Sequence, residues 1–413
     1  MRIRTHLYPG LLTGLFTVLV LAGWPAWADA VSANPVVDTD PLNRDPLVRE
    51  AFMRFYIMDY NGAISRFETV QSQHQSDPIA TDYLLYTTLF KELYRLDLLD
   101  TTFYANDGFL TGKHTVAEDP QARDQIKGLS DKAIDQADAE LKTNQNDVNA
   151  LFARGWAKSL EATYLAMVER SFSPALHLAL QARGDHARVL DLNPNYIDAK
   201  LVVGTYEYVV GALPLPFKIL IGFAGIHGSK ASGMETLRDA AARGVITSVE
   251  ARTCMMLFLR REAKYQDATQ IAQSLAAEYP RDFLFRLEVA NLQKDDGQGL
   301  TAIASYREVV ELSKKPGYFV TTHLELVYFG LGDTLRGQRL YADAVDAYRA
   351  GAYQPTTSPE LKRRCLLAAG EVYDLMHDHD KAKQQYQAVI DAGGDTAQAD
   401  QARKWMKSAY TGK

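Results

Sequence analysis

The sequence predicts an all-α chain folded as a right-handed α-solenoid of helix pairs, with an irregular N-terminal half. Three observations carry that expectation. From Val249 to Pro316 the chain reads as helix, polar turn, helix, twice over. The second helices superpose: Ala268, Ala272 and Leu275 fall on Ala302, Tyr306 and Val309, with 34 residues from Ala268 to Ala302. A fixed period of that size marks stacked units, none of which can bury its apolar face alone. Finally, one spacing recurs inside the units. Twelve residues separate Ala182 from Pro194, Ala268 from Pro280, Gly332 from Ala344 and Gly370 from Ala382.

Composition agrees with a folded chain. Of 413 residues, 47% are hydrophobic and 23% charged, with a net charge of −6. That balance, with charges mixed rather than in blocks, argues against a nucleic-acid partner and reads as solvated helix faces. The first 28 residues read as an export signal. Arg2 and Arg4 precede an apolar core, Leu11 to Ala22, and Ala26-Trp27-Ala28 offers a small-residue cleavage site. The core is short for a spanning helix, which needs about 20 residues. The expected location is the periplasm or the outside of the cell. Cys254 and Cys365 lie on units too far apart to bridge and read as small buried residues.

Taken in order, residues 29–45 are polar and read as a flexible lead-in. Asp45-Pro46 and Asp77-Pro78 each place a capping Asp before a Pro at the first helical position. The first helix runs from there to Tyr60, Asn61-Gly62 supplies the turn, and Ala63, Phe67 and Val70 fill the second-helix slots. After the helix near Tyr83 to Tyr94 the period stops. Residues 97–120 form a long loop, either a groove cap or partner contact or a decoration without a role. Helical pattern resumes at Gln121, and the region 46–248 is a divergent stretch of similar pairs. Within it, Val209 to Ile226 is apolar and broken by Pro214 and Pro216. It suits either packing beneath the solenoid or contact with lipid, through Phe217, Ile219, Leu220, Ile221 and Phe223. Residues 249–413 hold the regular units and end in a polar capping helix, Thr396 to Ala409.

Chemistry is sparse. Gly222 to Lys230 (GFAGIHGSK) misses the phosphate-loop spacing and ends in Ser-Lys, so Ser229 reads as a helix cap. His377-Asp378-His379-Asp380 sits at a tight turn, where two His one residue apart cannot share a helix face. His186 in an aromatic slot reads as packing. With no hydrolase or metalloprotease motif, the expectation is no enzyme, no cofactor and no metal site.

These slots resemble the tetratricopeptide repeat, whose second helix carries Ala and an aromatic four residues on and whose unit closes on Pro. More narrowly, Leu213-Pro214, FKILIGFAG, Ser229-Lys230, Gly233, Leu237 and Ala240 are similar to the tetratricopeptide-repeat-39 family. That resemblance implies fold only, because the family lacks an export signal. In such repeats the first helices line a concave groove. The alignment therefore offers Arg260, Asn291, Lys294, Asp333, Arg336 and Glu371 as candidates for binding a protein or peptide through charge-assisted hydrogen bonds. The alternative is an envelope protein that meets lipid or a membrane surface through 209–226.

Overall fold

A computed structural model describes residues 37–105, 117–213 and 227–412. The expected export signal, the middle of the 97–120 loop and the five proposed lipid-contact residues Phe217, Ile219, Leu220, Ile221 and Phe223 lie outside the described residues. Among the described residues there are 17 α-helices and no strand. They run in eight consecutive pairs: α1 (Pro46–Phe55) with α2 (Tyr60–Gln73), α3 (Pro78–Arg95) with α4 (Pro120–Thr143), α5 (Val148–Met167) with α6 (Phe172–Leu192), and α7 (Lys200–Ala212) with α8 (Lys230–Arg243). Then come α9 (Ser248–Arg261) with α10 (Tyr265–Glu278), α11 (Phe283–Asp295) with α12 (Gly299–Ser313), α13 (Leu324–Gly337) with α14 (Tyr341–Ala352), and α15 (Pro359–Leu375) with α16 (His379–Asp391). Helix α17 (Ala397–Lys407) packs on the last pair. Each helix lies against the next, which is the arrangement of a tetratricopeptide-like α-solenoid. None of the described helices is long and apolar enough to cross a membrane.

Local signals set the helix starts. Asp45 accepts from the Leu47 amide at 2.7 Å and Asp77 from the Ile79 amide at 3.0 Å, satisfying donors that a helix start leaves open. The helix ends follow one rule that composition hides. After α1, α3, α9, α11, α13 and α15 the chain turns through a left-handed residue: Met58, Asp97, Ala263, Gly297, Arg339 and His377. The next amide then reaches back five residues, as Leu98 does to Leu93 at 2.8 Å and Leu340 to Leu335 at 2.9 Å. This closes the open carbonyls of the helix end. Only one of the six is Gly, the residue that takes this conformation without strain. The turn expected at Asn61-Gly62 is therefore misplaced. It lies at Tyr56 to Asp59, and Gly62 belongs to the first turn of α2. There a Cβ would sit 2.2 Å from the capping Asp59 carboxylate, which explains the glycine without a turn.

Between the two helices of a unit, small residues meet rings. A Cβ on Gly332 would lie 2.6 Å from the Tyr348 ring, and one on Gly370 would lie 2.4 Å from Tyr386. The rings are fully buried, and each hydroxyl is anchored on the preceding first helix. Tyr306 donates to Asn291 at 2.6 Å, Tyr348 to Asp333 at 2.6 Å and Tyr386 to Asp374 at 2.7 Å. Anchoring is required because a buried hydroxyl without a partner costs a few kcal/mol.

The solenoid also turns back on itself. Helices α1 and α3 share one apolar core with Ile246, Val249, Leu275, Tyr279 and Phe285 from much later in the chain. Residues 37–45, expected as a loose lead-in, instead form a packed turn over Pro41–Arg44. Thr39 donates to Asp198 at 2.9 Å, and Asp198 also receives the amides of Val245, Ile246 and Thr247. Cys254 and Cys365 are free thiols, as their spacing implies; Cys365 is buried, whereas Cys254, expected to be buried as well, is partly exposed.

Replacing Gly370 by Val should lower stability by about 1–3 kcal/mol through overpacking against Tyr386. Chemical denaturation of the two proteins would measure it, and an unchanged midpoint would disprove the close contact.

Candidate functional site

The inner face presented by α9, α11, α13 and α15 is the candidate site, and most of it is already covered by the chain itself. On α9, Glu250 is partly exposed as a residue, yet its carboxylate points inward. It accepts from the Tyr56 hydroxyl at 2.7 Å and from the Tyr86 hydroxyl. Burial pushes its carboxyl up, and the two hydroxyls partly offset that. Tyr56 also packs against Tyr279 with ring centroids 4.8 Å apart.

One pair further along, the 3₁₀ turn Thr101–Tyr104 sits against α9 and α11. Arg260 is 3% exposed and reaches Glu288 at 3.0 Å, Asp295 at 2.5 Å and the Thr101 hydroxyl at 2.7 Å. Thr101 donates in turn to Glu288. Burial disfavours the guanidinium charge, and the two carboxylates outweigh that and hold it ionised. Asn291 is buried between Asp100 and Tyr306.

This arrangement revises the candidate groove residues. Arg260 and Asn291, offered as groove residues, are buried against Thr101 and Asp100, so both are internal to the fold. Asp333 is the anchor of Tyr348. Lys294 is partly buried in the last turn of α11 and has no ion pair among the described residues. Arg336 and Glu371 pair at 2.8 Å. Beside them runs the non-helical segment 408–412. The Tyr410 amide donates to Asp374 at 2.8 Å, and Arg336 donates to the Tyr410 hydroxyl at 2.8 Å while lying over its ring at 5.2 Å.

Between α1 and α3 on one side and α9 and α11 on the other lies a cavity of about 180 Å³, lined by Phe55, Tyr86, Phe90, Leu99, Met256 and Leu287 among others. Glu250, Asp282 and Glu288 also reach its wall. Asp282 caps α11 by accepting from the Phe285 amide at 2.9 Å, and burial pushes its carboxyl up to about 7.

The other motifs resolve into structure. Ser229 caps α8 by accepting from the Ser232 amide, and Lys230 pairs with Glu262 at 2.9 Å. Asp378 caps α16, and His379 bonds Asp374 at 2.6 Å. His186 is buried against Phe152 and contacts the Ala182 carbonyl at 2.9 Å, and burial lowers its ring to about 4. One group of possible metal ligands escaped the sequence reading: Asp97, His323 and Glu325, whose ligand atoms all lie within 4.8 Å of one another. Nothing local could signal it, since more than two hundred residues separate its parts.

No family model matches the chain, and no curated protein matches it. Solved structures with paired helices are similar to it at low identity. A structure from the functional characterisation of Pseudomonas aeruginosa pilF is 15% identical, covers 63% of this chain and 99% of its own, and has a TM-score of 0.39. The Cut9–Hcn1 hetero-tetramer of the APC/C gives 13%, 89%, 57% and 0.47. A tetratricopeptide repeat protein from Parabacteroides merdae gives 14%, 78%, 97% and 0.33. The assignment of fold rests on the helix pairs themselves.

Two outcomes test the covered face. Arg260→Met strands Glu288 and Asp295 and should cost about 3–5 kcal/mol, the penalty for an uncompensated buried charge. Hydrogen exchange should quicken first at residues 97–104, and quickening elsewhere instead would contradict the network. For Asp282, an unfolded carboxyl ionises near pH ~4, below its folded value. The folded chain therefore holds the extra proton between about 4 and 7, and stability from this group falls as pH rises through that window. Asp282→Asn keeps a capping oxygen without the charge. The variant should gain on wild type from pH 4 to 7 in denaturant midpoints, and a constant difference would refute the buried acid.

Proposed function

We propose that this chain is a non-catalytic helical-repeat scaffold that binds a protein or peptide partner and works in the bacterial cell envelope. The observation that supports this reading is the seat occupied by residues 408–412. A non-helical segment lies against the C-terminal ends of α13 and α15, with a backbone amide on Asp374 and a tyrosine held by Arg336. A surface that holds one chain segment by a main-chain amide and a tyrosine has recognition elements that another segment could use. Arg336 and Glu371, two of the residues offered by the repeat alignment, lie at that seat, whereas Arg260 and Asn291 serve the fold. The export signal supports the envelope location. A partner peptide with an aromatic residue would compete with Tyr410 for Arg336.

Affinity capture from envelope fractions tests this. Arg336→Ala should reduce partner recovery at least tenfold, while deletion of residues 408–413 should raise it. Recovery unchanged in both variants, with intact circular dichroism, would sink the proposal.

A further inference from the structure

The corner after α3 meets the start of α13 at a set of groups that the scaffold reading does not use. Asp97 takes the left-handed position that ends α3, with φ of 60°. That position turns its side chain toward His323, the residue before α13, and Glu325 in the first turn of α13. His323 Nδ1 lies 2.5 Å from Asp97 Oδ1 and 3.2 Å from Glu325 Oε1. His323 is 8% exposed and Glu325 is 0% exposed. These three atoms are shut from solvent, and none makes a hydrogen bond of acceptable geometry. The other Glu325 oxygen is fixed by the Thr356 hydroxyl at 2.6 Å, which aims the free oxygen into the cluster. Tyr94 walls the site edge-on to the imidazole, with ring centroids 4.4 Å apart.

A single ring proton cannot serve two carboxylate oxygens well, and two buried carboxylates carry one charge more than an imidazolium cancels. We infer that Asp97, His323 and Glu325 form a binding site for one divalent transition-metal cation, which fastens the corner after α3 to the start of α13. One imidazole nitrogen and two carboxylate oxygens suit zinc, manganese, iron(II) or cobalt(II). Bonds of about 2.0–2.2 Å separate the ligand atoms of a tetrahedral or octahedral site by roughly 3.0–3.5 Å. The Asp97–His323 pair must therefore open by about half an ångström, and the Glu325 distance already fits. An imidazole that starts protonated gives up its proton as the cation binds, so one proton leaves for each metal taken up.

The test uses the full, untagged chain stripped with EDTA. Dialysis against zinc, followed by elemental analysis, should return one equivalent, with a rise in melting temperature. Titration calorimetry in two buffers of different ionisation enthalpy should show release of about one proton. Cobalt(II) should give a ligand-field spectrum that His323→Gln abolishes. Asp97→Asn should weaken zinc binding at least tenfold with an unchanged circular dichroism spectrum. Should a variant fail to fold, wild type alone decides. If stripped wild type takes up no stoichiometric zinc, manganese or cobalt, the three residues are a proton-linked ion cluster and the metal site is overturned.

Discussion

The buried pairing of Arg260 with Glu288, closed by Thr101, is the constraint around which the rest of the structure is arranged. Charges in an apolar interior persist only when each has a partner. The guanidinium on α9 is matched by carboxylates on α11 and a hydroxyl from the turn after α3. It follows that the turn must be in place for the inner face of the repeats to be electrostatically complete. Tyr56, just after α1, and Tyr86 of α3, closing on Glu250, make the same demand one step earlier. A solenoid of this kind is held together by its ladder of neighbours and also by a strut across its inside.

That strut divides the inner face into two regimes. Around α9 and α11 the face is interior, with an aromatic-lined cavity left where packing is incomplete. Around α13 and α15, among the described residues, it is met by the short segment 408–412, through the Tyr410 amide, hydroxyl and ring. Residues that occupy equivalent positions in the repeat thus have different physical roles. Asn291 and Asp333 anchor tyrosines, Arg260 neutralises buried acids, and Arg336 holds a peptide strand.

Much of the ladder was legible because it rests on local rules. Asp before Pro marks helix starts, and Ala or Gly opposite Tyr marks the crossing of two helices at a twelve-residue interval. Those rules located Ala302, Tyr348 and Gly370 correctly. Periodicity also says which side of a helix is buried. It cannot say what lies against that face, since Thr101 and Glu288 are 187 residues apart. For the same reason Asp97, His323 and Glu325 could not be associated in advance. The helix-ending corners were hidden for another reason: main-chain geometry, rather than glycine, defines them, and Met58, Arg339 and His377 adopt it equally. Asn61-Gly62 misled because it is a common turn pair, used here inside a helix to make room for a cap.

Repeat arrays ordinarily fold by adding one unit to the next, since each touches only its neighbours. In this chain Tyr56 must wait for Glu250, a separation of 194 residues. Contacts so distant along the sequence slow folding, because the intervening loop must close before they contribute. During synthesis, the first three helices therefore emerge with Tyr56 and Tyr86 lacking their Glu250 partner, and stay so until α9 arrives. That interval is when their apolar surface is most exposed to aggregation.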